Sequence, residues 1–488
     1  MPAEGPEAPA RPGWRAGLWD AGPLALAGVA ANGASLLVTL VLARLLAARG
    51  YGALNQLIGV FFVVATPGSA VLVAVVRRVT AWSGPPGGVV RWGAGVHRRG
   101  TWGLVLFAAL VLVAGSPAAS LLGRHDALGF DAAAVAGAVW VLLCVDRGLL
   151  QAHREYRVLS GNLLLEGGAR TVFMISFGAA GLGVGGVAAG VLAAELCTAA
   201  HARFVADRAW RAHGAHGAHG AHGAHGAHGA HGAHGAHGAH GADVAGRDRP
   251  TRAALAAGLR TWLGIRRRAR PHARDGAVRR DLVGAVVALA AVAVLQNVDV
   301  IVVGREAPRA AGAYAAVSVS SKALVFVAVA VAGYLLPEAA ISWRAGRHAL
   351  RQLFVTLSVL AAPALALVAV AAAVPRLFLS AAFSSRYVSA AGAFLPLALA
   401  MVCLSVTVVV TMYLLGVGDR LFVVTLVGAA ALAAVAVVLA DGAPRATALA
   451  DLCVQGLLAC AAVGELARVH RSRSSGRPIS AREQARPG

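Results

Sequence analysis

Two residues of opposite charge sit where charge is expensive. Asp299 falls inside the apolar run Leu282–Val303 and Lys322 inside the run Ala313–Leu336, and the polar turn Gly304-Arg305-Glu306-Ala307-Pro308-Arg309 joins the two runs. A charge in hydrocarbon costs roughly 2.5–3.5 kcal/mol on insertion scales, so it ordinarily faces a cavity or a partner. Lys322 is the only lysine of the chain. Counted from Gly312 it lies roughly 15 Å along a helix, close to the middle of a bilayer. Two chemistries fit it: positive potential for an anionic group such as a diphosphate, or an ion pair with Asp299 that holds the two helices together. Asp299 in turn either takes that pairing or carries a coupling proton or sodium ion.

Other polar residues fall on helical stripes. Gly28, Asn32, Ser35 and Thr39 share one face of the first apolar span, and Tyr314, Ser318, Ser321 and Lys322 share a face of the eighth. Gln296 lies on the same face as Asp299. Asn32, Ser35, Thr39, Tyr314 and Ser318 are therefore candidate cavity residues, although such groups also serve as helix–helix hydrogen bonds worth only about 0.6 kcal/mol each. Arg44 and Arg147, near span ends, offer further positive charge. Glu166 and Arg170, four apart, are placed to neutralise each other. Glu195 and Asp451 have no partner nearby in sequence.

The elements that must position these residues follow from composition. Of 488 residues 58% are hydrophobic and only 14% charged, against about 25% charged in soluble domains. This is a polytopic membrane protein. The formal net charge of +22 does not indicate nucleic acid, because about three quarters of the basic residues fall in loops of one parity, the positive-inside pattern. That places both termini and the arginine-rich loops in the cytoplasm, next to anionic lipid head groups. Twelve apolar spans of about 20 residues each can be drawn between residues 24 and 467. The expected organisation is a disordered tail (1–21), a six-helix lobe (22–203), a cytoplasmic loop (204–281), a second six-helix lobe (282–467) and a basic tail (468–488). The fold class is thus all-α integral membrane, two six-helix bundles related by a pseudo-two-fold axis.

Several function classes drop out. No Gly-Lys-Ser/Thr surrounds Lys322, so the chain has no P-loop. Neither an HExxH nor a GxSxG motif nor a carboxylate pair sits on an outer loop, so no catalytic residues are expected and the chain is not read as an enzyme. The five cysteines fall within spans and read as small buried residues. From Ala212 to Gly241 the triplet Ala-His-Gly repeats. Glycine at that density disfavours a helix by about 1 kcal/mol per residue, and a flexible insert is expected. Its histidines, His213 to His240, are only a weak metal candidate, and no metal or other cofactor is expected beyond a proton or sodium gradient.

The halves echo each other. Arg49-Gly50-Tyr51-Gly52-Ala53-Leu54 follows the first span, and Ala311-Gly312-Ala313-Tyr314-Ala315-Ala316 follows the seventh. Six-plus-six repeats place a substrate site between the halves. With Leu42-Ala43-Arg44-Leu45-Leu46, Arg147-Gly148-Leu149-Leu150-Gln151, Asn297-Val298-Asp299-Val300, Lys322-Ala323-Leu324, Ser385-Arg386-Tyr387 and Leu395-Pro396-Leu397-Ala398, the sequence resembles polysaccharide flippases of the O-antigen type. These belong to the multidrug/oligosaccharidyl-lipid/polysaccharide (MOP) exporter superfamily. The resemblance covers most of residues 22–467 and leaves out the histidine repeat.

It implies two lobes rocking about a central cavity and an anionic undecaprenyl-diphosphate-linked oligosaccharide as substrate. It also implies the plasma membrane as location and polysaccharide-assembly proteins as partners. An ion-coupled multidrug or metabolite antiporter of the same fold is the alternative. It would want a carboxylate-rich cavity, whereas these stripes lean basic or neutral.

Overall fold

The computed structural model describes residues 14–80, 82, 86–124, 126–223, 273–344, 350–417 and 421–474. Among them every regular element is helical: α1 (Trp14–Leu45), α2 (Ala48–Ala65), α3 (Pro67–Thr80), α4 (Pro86–Leu121), α5 (Ala127–Ala152), α6 (Tyr156–Ala179), α7 (Gly183–Gly223), α8 (Ala273–Glu306), α9 (Ala311–Arg344), α10 (Leu350–Ala373), α11 (Pro375–Ala382), a 3-10 stretch (Ser385–Ala393), α12 (Phe394–Val417), α13 (Leu421–Leu439) and α14 (Pro444–Ser474). Two compact units are present, one made of Met1–Trp210 with Gly284–Gly488, the other of Arg211–Val283.

Among the described residues, eleven segments are long and apolar enough to cross a bilayer. A twelfth helix, α6, has 24 residues but carries Asn162, Glu166 and Arg170 in its middle, which lowers its apolarity. It packs on α1 and α5. The protein is therefore a multi-pass membrane fold of two six-helix bundles. Each has a central helix: α2, α3, α4 and α6 pack on α5, and α9, α10 and α14 pack on α12. Small residues permit this. Ala132, Ala133, Ala134 and Ala136 of α5 are buried. A Cβ on Gly137 would meet the Phe61 carbonyl at 2.8 Å, so α2 can approach only because that position lacks one.

The sequence-drawn spans need four corrections. The second is kinked: α2 ends at Ala65 and α3 begins at Pro67, because proline removes a backbone donor and clashes with the preceding turn, while Ala48–Thr80 remains one membrane-spanning stretch. The tail expected at 1–21 overlaps α1, which starts at Trp14. The histidine repeat, expected as a flexible insert, begins as helix, since α7 continues to Gly223. Extending an existing helix needs no new nucleus, so the cost of its first glycines does not stop it. The remainder of the repeat, from Ala224, lies outside the described residues. Finally, of the five cysteines only Cys144 is buried; Cys403 is half-buried, and Cys197, Cys453 and Cys460 are exposed on helix faces.

The turns α1–α2, α4–α5, α6–α7, α8–α9 and α13–α14 mark one end of the bundles, here termed the hairpin end. Arg77, Arg78, Arg91, Arg98 and Arg99 mark the opposite, basic end. The lobes touch intimately at the hairpin end. The Gln56 amide donates to the carbonyls of Leu122 (3.0 Å) and Ile301 (3.1 Å). The Arg305 guanidinium donates to the Leu121 carbonyl at 2.7 Å, and the Tyr387 hydroxyl to that of Ala43. Further along, Phe62 of α2 stacks on Phe326 of α9, ring centres 5.5 Å apart.

Candidate functional site

Each lobe buries its own ionic cluster, and the two are built differently. In the first lobe the polar stripe Asn162–Glu166–Arg170 of α6 faces Arg147 of α5 and Glu195, Thr198 and His201 of α7. Arg147 Nη2 lies 2.7 Å from Glu166 Oε2, and Arg170 Nη2 lies 2.8 Å from Glu166 Oε1. Arg170 Nε donates to Glu195 Oε1 at 2.8 Å. The result is a chain of alternating sign, Arg147–Glu166–Arg170–Glu195, whose charges sum to zero.

Asn162 ties it in by accepting from Arg147 Nε (2.7 Å) and donating to the Thr198 carbonyl (3.1 Å), with His201 Nδ1 also at 3.1 Å. The Arg170 guanidinium sits 5.1 Å above the Phe61 ring, a cation–π contact. Nearer the basic end, buried Asp146 lies 3.4 Å from Arg203 Nη1 and 3.2 Å from His97 Nδ1.

In the second lobe the centre is Asp299, fully buried on α8. Its Oδ1 lies 3.2 Å from Lys322 Nζ, and its Oδ2 accepts from the Tyr314 hydroxyl (3.1 Å) and Ser318 Oγ (3.2 Å). Those three donors occupy one stripe of α9, where helical spacing brings them to a single carboxylate. On the far side stands α14, with Thr447, Asp451 and Gln455 on one face and all fully buried. Gln455 Nε2 donates to the Leu295 carbonyl at 3.2 Å and to Asp451 Oδ1 at 3.4 Å.

Gln455 thus ties Asp451 to α8 one turn from Asp299, so a second carboxyl stands near the Asp299–Lys322 pair without an ammonium of its own among the described residues; with both carboxyls ionised the group holds one negative charge in excess. Asp451 Oδ2, Gln455 Oε1 and Thr447 Oγ1 are buried without a hydrogen-bond partner among the described residues. Burying such atoms without a partner is costly.

The structure thus unites four of the sequence candidates, Asp299, Lys322, Tyr314 and Ser318, and separates the others from them. Arg147 belongs to the first lobe's chain. Arg44 is exposed and donates to the carbonyls of Ala381 (3.2 Å) and Ala382 (3.3 Å) at the hairpin end. On α1, Asn32 is exposed, whereas Ser35 and Thr39 donate to carbonyls of their own helix, those of Ala31 and Ser35, at 3.0 and 2.9 Å. Glu195, without a partner in sequence, is held by Arg170 of a neighbouring helix. Asp451, Gln455 and Thr447 are the residues that sequence reasoning missed as a group. Their spacing, every fourth residue of α14, was the signal that would have found them.

Neither a protein family nor a curated relative matches the sequence. Solved structures do match its fold. A multidrug resistance MATE family transporter of the MOP superfamily, in an inward-facing conformation, superposes with a TM-score of 0.57 at 12% identity, covering 91% of this chain and 95% of that one. The Vibrio cholerae MATE transporter VcmN gives 0.58 at 13% identity, with 94% and 96% covered. The lipid II flippase MurJ, in an inward closed conformation, gives 0.58 at 10% identity, with 91% and 87% covered. The chain has the fold shared by MATE transporters and MurJ.

Proposed function

We propose that the protein is an ion-coupled membrane transporter of alternating-access type. Its substrate in this reading is an anionic undecaprenyl-diphosphate-linked oligosaccharide, flipped across the plasma membrane for polysaccharide export. The observation that carries the ion-coupled reading is Asp451, buried on α14 with an oxygen unpaired among the described residues and held by Gln455 near the Asp299–Lys322 pair. A scaffold has no use for an odd charge in hydrocarbon, whereas one bound proton or sodium ion brings this cluster to neutrality. Lys322 then acquires a role. Held by Asp299 while the cluster is empty, it is released toward an anionic group once a cation satisfies the carboxylates.

The oligosaccharide substrate is supported by the resemblance carried by residues 42–54, 147–151 and 297–324, and by the fold shared with a lipid II flippase. The distribution of arginine makes the hairpin end the outer face and leaves both termini in the cytoplasm, where the basic end meets anionic lipids. Polysaccharide-assembly proteins are the partners this role requires.

A second reading, an ion-coupled exporter of drugs or metabolites, is favoured by one feature. Arg147 and Lys322 are both spent on carboxylates, which leaves less positive potential for a diphosphate than the sequence promised. Deleting the protein separates the two. Accumulation of lipid-linked oligosaccharide in the inner leaflet supports the flippase; altered drug sensitivity without accumulation supports the exporter. A Lys322→Ala variant that is well expressed and flips at the normal rate overturns the role of the lysine.

A further inference from the structure

The mirrored motifs after the first and seventh spans meet each other in space. Helices α2 and α9 start side by side at the hairpin end, and their backbones come closer than side chains permit. A Cβ on Gly52 would lie 2.6 Å from the Gly312 nitrogen and 2.7 Å from the Ala311 carbonyl carbon; a Cβ on Gly312 would lie 2.0 Å from the Ala48 carbonyl oxygen. Every one of these obstacles belongs to the opposite lobe, and nearly all are backbone, which cannot swing aside as a flexible side chain can. Gly68, Gly137, Gly148 and Gly190 are also crowded, with nearest atoms at 2.8, 2.8, 2.9 and 3.0 Å, but by their own lobe; they serve folding.

Around the crossing, Tyr51 packs edge-on to Tyr387 (centroids 5.5 Å) and against Phe383 (6.3 Å). Arg386 donates to the Leu46 carbonyl at 3.4 Å. Gln56, almost fully buried, bridges the next turn.

We infer that Gly52 and Gly312 form a lock that the hairpin end must engage to close, so that a larger residue at either position holds that end open while both lobes fold normally. The sequence offered each glycine as part of a small–aromatic–small turn; only the structure makes them a pair across the lobe boundary. The inference rests on the alternating-access reading above, but its test does not need transport.

In a cysteine-free background, Gln56→Cys reports access from the hairpin side to a membrane-impermeant maleimide. The lock predicts slow labelling, and a rise of about tenfold or more when Gly52→Val or Gly312→Val is added. Gly428→Val, at a helix position with nothing within 4 Å, leaves labelling unchanged. Thermal unfolding in detergent confirms that the valine variants remain folded; Gly52→Ala gives a smaller rise and serves if valine does not express. A folded Gly52→Val variant in which the thiol introduced by Gln56→Cys stays protected overturns the lock. Raised labelling of a protein that transports nothing upholds the lock and removes the transport reading instead.

Discussion

The two lobes have buried ionic clusters of opposite design. In the first, four charges alternate along three helices and cancel; α5, α6 and α7 are riveted by groups that leave no charge over. In the second, one ammonium pairs with Asp299, a second carboxyl, Asp451, stands nearby without one, and oxygens on α14 are unpaired among the described residues. In the balanced network an added cation meets charges that already cancel, although Glu195 Oε2 is also buried without a hydrogen-bond partner among the described residues. An unbalanced network is completed by it. On the proposed reading, the difference gives rigidity to the first lobe and ion responsiveness to the second.

That contrast can be broken at several points. The largest effect is expected for Arg170→Met, which leaves Glu166 paired with Arg147 alone and Glu195 buried without its cation. Removing one partner of a buried pair costs about 3–5 kcal/mol, so folded yield and thermal unfolding temperature in detergent should fall steeply.

Next comes Lys322→Met, which strands Asp299 beside Asp451. It should destabilise by somewhat less, because a bound cation can replace the ammonium, and the thermal unfolding temperature should recover when sodium or acid is added. No such recovery is expected for Arg170→Met, and its appearance there would erase the distinction between the lobes.

Asp451→Asn should leave stability within about 1 kcal/mol, since an isosteric amide replaces surplus charge with a neutral group. Its expected loss is functional: transport in vesicles should no longer follow the ion gradient. The matching change in the other lobe, Glu195→Gln, should do the reverse, lowering stability and sparing gradient dependence in whatever protein folds. Full gradient dependence in both Asp299→Asn and Asp451→Asn vesicles would place the coupling ion elsewhere. The smallest effect belongs to Tyr314→Phe, which removes one hydrogen bond to Asp299 and should cost about 0.6 kcal/mol, read as a shift in unfolding midpoint.

Sequence and structure agree where local pattern decides. Apolar length gave an all-helical, multi-pass fold of two bundles, though not the kink at Pro67 or the short helix Pro375–Ala382. The stripe Tyr314–Ser318–Lys322 and its meeting with Asp299 were legible because α8 and α9 are adjacent helices joined by a short turn. Asp451 was not, since α14 reaches α8 from far along the chain and no spacing reports that contact. The Arg170–Glu195 pair hid for a related reason: Glu166, four residues from Arg170, offered a local partner that looked sufficient.

Local pattern also misled at Ala212, where glycine content argued against helix but an established helix ran on. It misled at Arg147 and Arg44, whose charges could be counted from sequence while their partners could not. Electrostatic potential depends on what each charge is already bound to, and that is a property of packing.

The solitary lysine has one more consequence. Lys322 is 6% exposed, and no other side chain in the protein offers a primary amine. Amine-directed reagents therefore find no second lysine to confuse the signal. Acylation at this one site, followed over time by mass spectrometry, becomes a clock for how often the seam between α8, α9 and α14 parts, readable on unlabelled protein without introducing any probe.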